Sequence, residues 1–598
     1  MPRTRLQPLV LAASMAALST IAACGASDGV TSSTPSTENP TTVAISAIDC
    51  QEAGVATDPY TVAKALVTLA AHHERASDYA WNVADEIPIT FNGTSATSSS
   101  TAVTVNGTTV SITAAGTYRI SGTLANGQLL VNTKDTAAVR LVLDGMTISN
   151  TSDAPVFISK AARAVVMLAD NSVNTITDGT TYPAGADQNA ALFSKANLSI
   201  GGTGALVVNA RFNDGITGKD GVVINGGRIT VTAVDDGVRG KDYLVVRNGT
   251  FTITAGGDGF KSDEEDDARL GYVLVSGGTL GVTAVGDGMQ AQTAALVTGG
   301  TLTFRNGGGS AVVIADTLSA KGIKGDSAVV IDGGTITIDA ADDGVHTNKT
   351  LVINGGTFSI ATGDDGLHSD AALTINGGDV DITRSYEGVE NTLADLVING
   401  GRVRIVSSDD GLNLAGAGDT RPGTGAGAYT LRINGGRVTV IASGDGVDAN
   451  GSIVMSGGCV IVHGPTANNN APIDYDGTFQ MTGGFLVAAG SSGMAQAPGT
   501  SSTQNALLMT FGAARAAGTI VHLQTAAGEA ILDFAPSKAF QSVAFSSPKL
   551  VKGETFKLYL GGSAIGTVTD GLYSSGTYAL GTLTNSFTVS STVSRLSF

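Results

Sequence analysis

The chain has 598 residues, 80 of them glycine, with 5% aromatic and 14% charged residues. It is too long for one ordinary hydrophobic core, and its glycine content is unusual for a compact enzyme, so we expect a repeated architecture that needs turn residues in every repeat. The formal net charge of −18 argues against nucleic-acid binding, which needs a basic surface. It favours cations, or anionic partners reached through cations.

The amino-terminal residues carry the pattern of an export signal. Two arginines precede an apolar run from Leu9 to Ile21, and the tetrapeptide at residues 21–24, Ile-Ala-Ala-Cys, has the form of a bacterial lipobox. The apolar run is too short to span a membrane. We predict that residues 1–24 are a lipoprotein signal peptide and that Cys24 is lipidated, which anchors an exported protein at the cell surface or outer membrane. A plain signal peptide with an accidental cysteine is the alternative.

The segments that flank the repeats have distinct compositions. Residues 25–59 are rich in Ser, Thr, Ala and Pro and predict a flexible linker, whereas residues 60–85 have apolar side chains at helical spacing and predict a short helix that caps one end of the fold. Residues 491–598 alternate like ordinary strands and predict a small antiparallel β domain. Cys50 and Cys459 are compatible with a disulfide or with two separate thiols.

Residues 86–490 contain the repeat. Gly-Gly turns preceded by Asp332, Asn354 and Asn376 follow one another every 22 residues, and each lies between two short runs of alternating apolar residues. Such a unit is too short for a crossover helix. The pattern predicts an all-β, right-handed parallel β-helix: a three-sheet solenoid with about 22 residues per coil, a short amino-terminal helix and the small carboxyl-terminal β domain.

An acidic corner follows each Gly-Gly strand and is itself followed by glycine. Stacking would place these carboxylates in one ladder, where like charges repel unless they are compensated. Each side chain could simply satisfy its own turn, or the ladder could hold Ca²⁺, which prefers six to eight oxygen ligands. The candidate calcium ligands are Asp214, Asp235, Asp236, Asp258, Asp287, Asp342, Asp343, Asp364, Asp365, Glu387, Asp409, Asp410 and Asp445.

A second column follows each corner by a few residues. Its first half is rich in lysine and its second half in acids, so it predicts a groove for a polyanion, although lysines beside carboxylates more often form weak ion pairs. Two histidines one repeat apart could bind a transition metal, but no third nitrogen or sulfur ligand favours that. The candidate ligand-binding residues are Lys219, Lys241, Lys261, His346, His368, Glu390, Asn413 and Asp448.

Several motifs together resemble a known family. They include Gly122-Thr123-Leu124, Asn213-Asp214-Gly215-Ile216, the run from Asp236 to Asp242, the Asn-Gly-Gly turns and the run from Gly490 to Gln496. The chain resembles the bacterial carbohydrate-binding right-handed β-helix proteins, which bind calcium and are similar in shape to family nine pectate lyases. This resemblance implies calcium-dependent binding of plant-type polysaccharide, acidic pectic chains and cellulose among them.

Three functions compete at this point. The leading hypothesis is a surface-tethered, calcium-dependent binding protein for acidic polysaccharide, which acts as a monomer and does not bind nucleic acid. A calcium-assisted polysaccharide lyase is the second, with Lys241, Lys261 or Lys324 as the base. Against it, the sequence places no arginine near the acidic corners of the central repeats. The third hypothesis is a structural adhesin that calcium only stiffens.

Overall fold

The computed structural model describes residues 42–46, 56–315, 317–416 and 427–598. The predicted signal peptide, with Cys24, and most of the predicted linker lie outside these residues. Within the linker range, Thr42–Ala44 is a strand that pairs with Thr577–Ala579. None of the helices in the described part of the chain is long and apolar enough to cross a membrane.

The amino-terminal segment contains an α-helix, Val62–Leu66, and two 3₁₀ helices, Ala76–Tyr79 and Val83–Asp85. Thr61 caps the α-helix, since its hydroxyl accepts a hydrogen bond from the Lys64 amide at 3.3 Å. The helix packs its buried Val62 and Ala65 against side chains from the middle of the repeats, such as Leu296 and Val330. The prediction that this segment caps an end of the fold is therefore wrong; it lies along the side.

The repeats stack as parallel strands in register. Val345 pairs with Leu367 and Leu367 with Val389, so aliphatic side chains lie above one another and form a continuous buried core. Each such side chain contributes about 1.5–3 kcal/mol by its burial. The 22-residue repeat seen in the sequence is therefore the spacing between hydrogen-bonded neighbours.

One part of every repeat belongs to a sixteen-stranded sheet. Its strands are short, commonly three residues, and their central residues face outward. In chain and sheet order they are Val103–Asn106, Thr109–Ile112, Gln128–Asn132, Val156–Lys160, Ala190–Ser194, Asp214–Gly218, Val238–Gly240, Phe260–Ser262, Met289–Ala291, Ile323–Gly325, Val345–Thr347, Leu367–Ser369, Val389–Asn391, Leu412–Leu414, Val447–Ala449 and Asp474–Tyr475.

The other two strands of each repeat belong to one closed sheet. Its strands are Glu86–Gly93, Ala96–Thr97, Gly116–Leu124, Val139–Ser149, Ala164–Leu168, Val173–Thr177, Leu198–Gly202, Ala205–Ala210, Val222–Ala233, Tyr243–Ala255, Tyr272–Val275, Thr279–Ala284, Ala294–Val297, Thr301–Asn306, Ala328–Ile331, Thr335–Ala340, Thr350–Ile353, Thr357–Thr362, Ala372–Ile375, Asp379–Ser385, Leu396–Ile398, Arg402–Ser407, Thr430–Ile433, Arg437–Ile441, Ser452–Met455, Cys459–His463, Phe479–Met481, Phe485–Gly490, Ala506–Arg515, Phe540–Ser546 and Val593–Ser597.

The closed sheet corrects the predicted fold class. Val222–Ala233 continues through its Gly-Gly turn and pairs with both Leu198–Gly202 and Ala205–Ala210. Two stacks of strands that the sequence predicted as separate sheets are thereby joined into one sheet. The described residues are all-β with almost no helix, but the predicted right-handed three-sheet β-helix is wrong: their strands form one closed sheet, the sixteen-stranded sheet and two smaller sheets.

The carboxyl-terminal residues continue the closed sheet instead of standing apart from it. Phe485–Gly490 pairs antiparallel with Phe540–Ser546, which covers the last parallel strand. A six-stranded antiparallel sheet adds Val521–Thr525, Ala530–Phe534, Thr555–Leu560, Val568–Thr569, Leu572–Tyr573 and Thr582–Thr588, and a three-stranded sheet contains Thr42–Ala44, Ser563–Ile565 and Thr577–Ala579. Cys459, on the adjoining strand, is buried and disulfide-bonded.

Candidate functional site

The acidic corners form a hydrogen-bonded ladder beside the sixteen-stranded sheet. The amide of Asp258 donates to the Asp236 Oδ1 at 2.9 Å, and that of Asp365 donates to the Asp343 Oδ1 at 3.1 Å. The Glu387 amide donates to the Asp365 Oδ1 at 3.2 Å. Each carboxylate thus satisfies the backbone of the next repeat, and its second oxygen can serve other ligands.

Lysines neutralise the ladder in its central part. The Lys261 ammonium lies 3.2 Å from Asp236 and 2.8 Å from Asp258, and Lys321 lies 2.7 Å from Asp342 and 2.8 Å from Asp343. Lys321 was absent from the sequence prediction. The sequence could have revealed Lys321, because Lys321-Gly322 occupies the position at which other repeats have an acidic residue followed by glycine.

An arginine joins the first part of the ladder. Arg239 forms an ion pair with Asp263 and lies 3.7 Å from Asp214, so an arginine lies beside the acidic corners before the central repeats, to which the sequence argument was limited. The Asp214 carboxylate also accepts hydrogen bonds from Asn189 and Thr217. Asp214, Asp235 and Asp236 each bring one carboxylate oxygen within 4.8 Å of the other two. Burial raises the pKa of Asp236 to about 7.

The outward-facing residues of the sixteen-stranded sheet form a second ladder three residues after the corners. Lys219 and Lys241 lie outside it, and Lys241 instead pairs with Glu264 at 2.6 Å. Of the predicted column, Lys261, His346, His368, Glu390, Asn413 and Asp448 belong to this ladder, whereas Thr217, Arg239, Gln290 and Lys324 are ladder members that the prediction omitted. In register the ladder runs Phe157, Phe193, Thr217, Arg239, Lys261, Gln290, Lys324, His346, His368, Glu390, Asn413, Asp448 and Asp474.

The lysines proposed as catalytic bases differ in their surroundings. Burial lowers the pKa of Lys261, but Asp258 and Asp236 outweigh it, so the pKa is raised; the hydrogen bond to Glu264 raises that of Lys241. A general base at neutral pH needs the opposite shift. No described carboxylate lies within ion-pair distance of the Lys324 ammonium group.

The histidines lie at the centre of the ladder. The rings of His346 and His368 stack with centroids 4.8 Å apart. His346 Nδ1 lies 2.9 Å from the Asp343 Oδ2, and His368 Nδ1 lies 2.9 Å from the Asp365 Oδ2 and 2.8 Å from the Glu390 Oε2. Burial lowers the pKa of His368, but these carboxylates dominate and raise it to about 12.

Three acidic side chains collect at the far end of the ladder. Asp410, Asp445 and Asp448 bring one oxygen each within 4.8 Å of one another. Among the described residues no Lys, Arg or His lies within ion-pair distance of Asp410 or Asp445. Burial, together with the charges of Asp409 and Asp445, raises the pKa of Asp410 to about 8.

The remaining candidate ligands have local partners. Asp287 accepts hydrogen bonds from Ser319 and from the Lys321 amide, both at 2.7 Å. Glu387 accepts a hydrogen bond from Asn413 at 2.7 Å. Asp342, Asp343 and Asp364 each bring one carboxylate oxygen within 4.8 Å of the other two.

Aromatic side chains adjoin the first part of the ladder. Phe157 and Phe193 are consecutive members of the ladder with ring centroids 5.9 Å apart, and Tyr182 stacks on Phe212 with centroids 4.2 Å apart. Phe157, Tyr182 and Phe212 are half-buried. Sugar rings pack on such faces, and register in the sheet brings together residues that are distant in sequence.

Parts of the chain are similar to proteins described as carbohydrate-binding. Residues 106–366 match the profile of a family described as "Carbohydrate-binding domain-containing protein". A curated protein of that description from Acetivibrio thermocellus is 41% identical over 128 residues, which cover 21% of this chain and 45% of that protein. The match therefore spans less than half of the relative.

A solved structure is also similar to part of the chain. It is titled "Structure of the polysaccharide lyase-like protein from C. thermocellum, Gadolinium derivative". It has 31% sequence identity and a TM-score of 0.37, and the match covers 41% of this chain and 96% of that one. The carbohydrate-binding part of the resemblance seen in the sequence is thus supported by the family match.

Proposed function

We propose that this protein binds acidic polysaccharide through Ca²⁺ held by the acidic corner ladder. The observation that carries the proposal is the cluster of Asp410, Asp445 and Asp448, whose carboxylates converge while no described cation pairs with the first two. Ca²⁺ accepts several carboxylate oxygens in a tolerant geometry. A cation there relieves the repulsion that otherwise favours protonation of Asp410.

A polyuronate fits the distribution of charge along the ladder. Its carboxylates can coordinate Ca²⁺ at the acidic end, and Lys324 adds an ammonium group on the same outward face without a described carboxylate beside it. The half-buried rings of Phe157 and Tyr182 give the other end an apolar surface for sugar rings. The family match over residues 106–366 supports carbohydrate as the ligand class.

The test is isothermal titration of residues 42–598 with polygalacturonate, in Ca²⁺ and after chelation. We expect binding that requires Ca²⁺ and that falls at least tenfold in Asp410→Asn, because the variant removes a carboxylate ligand. Glu554→Gln is the matched control, since Glu554 is exposed and precedes the carboxyl-terminal strand Thr555–Leu560. Equal affinity with and without Ca²⁺ would overturn the calcium bridge, and binding of cellulose alone would overturn the acidic ligand.

A lyase is the second candidate function, and Lys324 is the observation that favours it. A lysine without a described carboxylate partner can remove the proton at C5 of a uronate, after which the C4–O bond breaks and the leaving oxygen takes a proton. The same samples should then gain the ultraviolet absorbance of an unsaturated uronate. No gain at saturating polygalacturonate would exclude this activity on that substrate, and calcium binding without any glycan binding would indicate the structural adhesin.

We also propose that the protein is an exported lipoprotein anchored through Cys24. The lipobox at residues 21–24 supports the anchor, and the disulfide-bonded Cys459 is typical of an oxidising compartment. Cys24→Ser should abolish labelling by a radioactive fatty acid and release the protein from membranes. Unchanged labelling would overturn the proposal.

A further inference from the structure

A cluster of mixed nitrogen and oxygen ligands lies between the basic and acidic parts of the outward-facing ladder. Asp365, His368 and Glu390 each offer one atom within 4.8 Å of the others, and so do Asp343, His346 and His368. In the first group His368 Nδ1 lies 2.9 Å from Asp365 and 2.8 Å from Glu390. Ligands bonded to one metal at about 2.0–2.2 Å lie about 3 Å apart or slightly more, so small side-chain adjustments suffice.

The second nitrogen of each imidazole provides an independent indication. His368 Nε2 lies 3.1 Å from the Asp370 Oδ1, and His346 Nε2 lies 3.1 Å from the Asn348 Oδ1. Without a metal, Nδ1 of His368 donates its proton to the carboxylates. A bound metal would displace that proton, while the oxygen acceptor at Nε2 keeps the other ring proton in place and leaves the lone pair of Nδ1 facing the site. Histidines that bind metals are oriented by such a partner on the other ring nitrogen.

The group centred on His368 is better suited to a metal than the group centred on Asp343. The Lys321 ammonium group forms an ion pair with the Asp343 Oδ2 at 2.8 Å. Among the described residues, the only cationic partner of Asp365 and Glu390 is His368 itself. His346, stacked 4.8 Å from His368, is close enough to complete the coordination. Water can fill the remaining positions, because this face is partly exposed.

We propose that Asp365, His368 and Glu390, with His346 beside them, form a site for a divalent transition metal of the Zn²⁺ class. Imidazole nitrogen is a preferred ligand of zinc, copper and nickel, whereas calcium selects oxygen. The site differs in chemistry from the all-oxygen cluster at Asp410, Asp445 and Asp448. It neither requires calcium nor requires a glycan.

The test uses the untagged protein, loaded with one equivalent of Cu²⁺, and electron paramagnetic resonance. We expect nitrogen superhyperfine structure from imidazole, which His368→Gln should abolish together with at least a tenfold loss of Zn²⁺ affinity. Glu390→Gln should weaken Zn²⁺ binding but keep the nitrogen signal, which separates loss of a ligand from misfolding. Circular dichroism checks that each variant is folded.

Asp410→Asn is the control that separates this site from the proposed calcium site. That variant should keep the copper signal and the Zn²⁺ affinity even where Ca²⁺ affinity falls. Absence of a nitrogen signal in the native protein, or the same signal and affinity in folded His368→Gln, would overturn the transition-metal site without affecting the calcium proposal. Absence of calcium-dependent glycan binding in a protein with an intact copper signal would overturn the calcium proposal and leave the transition-metal site standing.

Discussion

Glycine at the acidic corners is required by close stacking of the backbone and not by a left-handed conformation. The second glycine of each Gly-Gly turn has positive φ, for example 104° at Gly356, but the corner glycines do not. At Gly366 an added Cβ would lie 2.6 Å from the carbonyl oxygen of Gly388 one repeat later. Glycine is therefore needed at these corners because the ladder leaves no room for a side chain.

Substitution of a corner glycine should destabilise the protein. Gly366→Ala places a methyl group against a backbone oxygen that cannot move without shifting the next repeat, and we expect a loss of about 1–3 kcal/mol. Gly281→Ala is the control. Gly281 pairs with Thr252 and Thr303 in the two neighbouring strands, and an added Cβ would meet only the Phe251 carbonyl oxygen, at 3.4 Å. Urea unfolding measures both; equal stabilities of the two variants would contradict the stacking explanation.

Among the elements, the amino-terminal segment departs most from its sequence pattern. Helical spacing of apolar residues extended the predicted helix well beyond Leu66, where it ends. His73 instead binds Tyr243 and Ser199, and Glu74 pairs with Arg247. These partners are more than 100 residues away in sequence, so local periodicity could not reveal them. Tertiary contacts override helix propensity here.

The docking of this segment can be weakened selectively. Tyr243→Phe keeps the ring stacked on Tyr272 but removes the hydroxyl that lies 2.9 Å from both the His73 amide nitrogen and Nδ1. Loss of these hydrogen bonds should cost about 0.5–1.5 kcal/mol each. We expect faster hydrogen exchange in residues 62–79 with the central strands unchanged.

Tyr475→Phe removes a hydroxyl that donates to the Ala497 carbonyl at 2.9 Å and serves as the control. It should leave exchange in residues 62–79 at the native rate. Equal exchange of that segment in both variants would show that Tyr243 does not anchor it.

The sequence predicts the ladders better than it predicts their partners. Regular spacing of acidic residues before glycine places the carboxylates in register, because the repeat length equals the offset between paired strands. Counting three residues from Asp236 would also have found Arg239, and counting three from Lys321, which occupies a corner position, would have found Lys324. Arg239 pairs with Asp263, which directly follows the strand Phe260–Ser262 in the next repeat, and no local pattern in the sequence encodes that side-chain contact.

At the scale of the whole molecule, one histidine links the repeats to the carboxyl-terminal strands. His463 Nδ1 accepts from the Ser537 amide at 3.0 Å, and Nε2 lies 3.0 Å from the Asp570 carbonyl oxygen, to which it donates. The neutral ring is therefore fully satisfied. Protonation would place a second N–H against that of Ser537. Burial lowers the pKa of His463 to about 4, although Asp570 opposes the shift; Arg404 and Lys538 reinforce it.

Acidification should therefore loosen this connection. The unfolded chain takes up a proton near the usual histidine pKa of about 6.5 and the folded protein only near 4, so this contribution to stability is complete above pH 6.5 and is lost as the pH falls toward 4. The loss is roughly 2–3 kcal/mol. Buried carboxylates such as Asp410 act in the opposite sense, because their raised pKa favours the folded state at low pH.

Comparison with a variant isolates the contribution of His463. Between pH 7 and pH 4.5 the native protein should lose more stability in urea than His463→Gln, whose side chain does not titrate. A difference in stability that is independent of pH would contradict the assignment. Nuclear magnetic resonance titration of the imidazole measures the pKa of His463 directly in the native protein. A pKa near 6.5 would mean that the ring gains its proton without disturbing Ser537. The junction between the repeats and the carboxyl-terminal strands would then not be sensitive to acid at this residue.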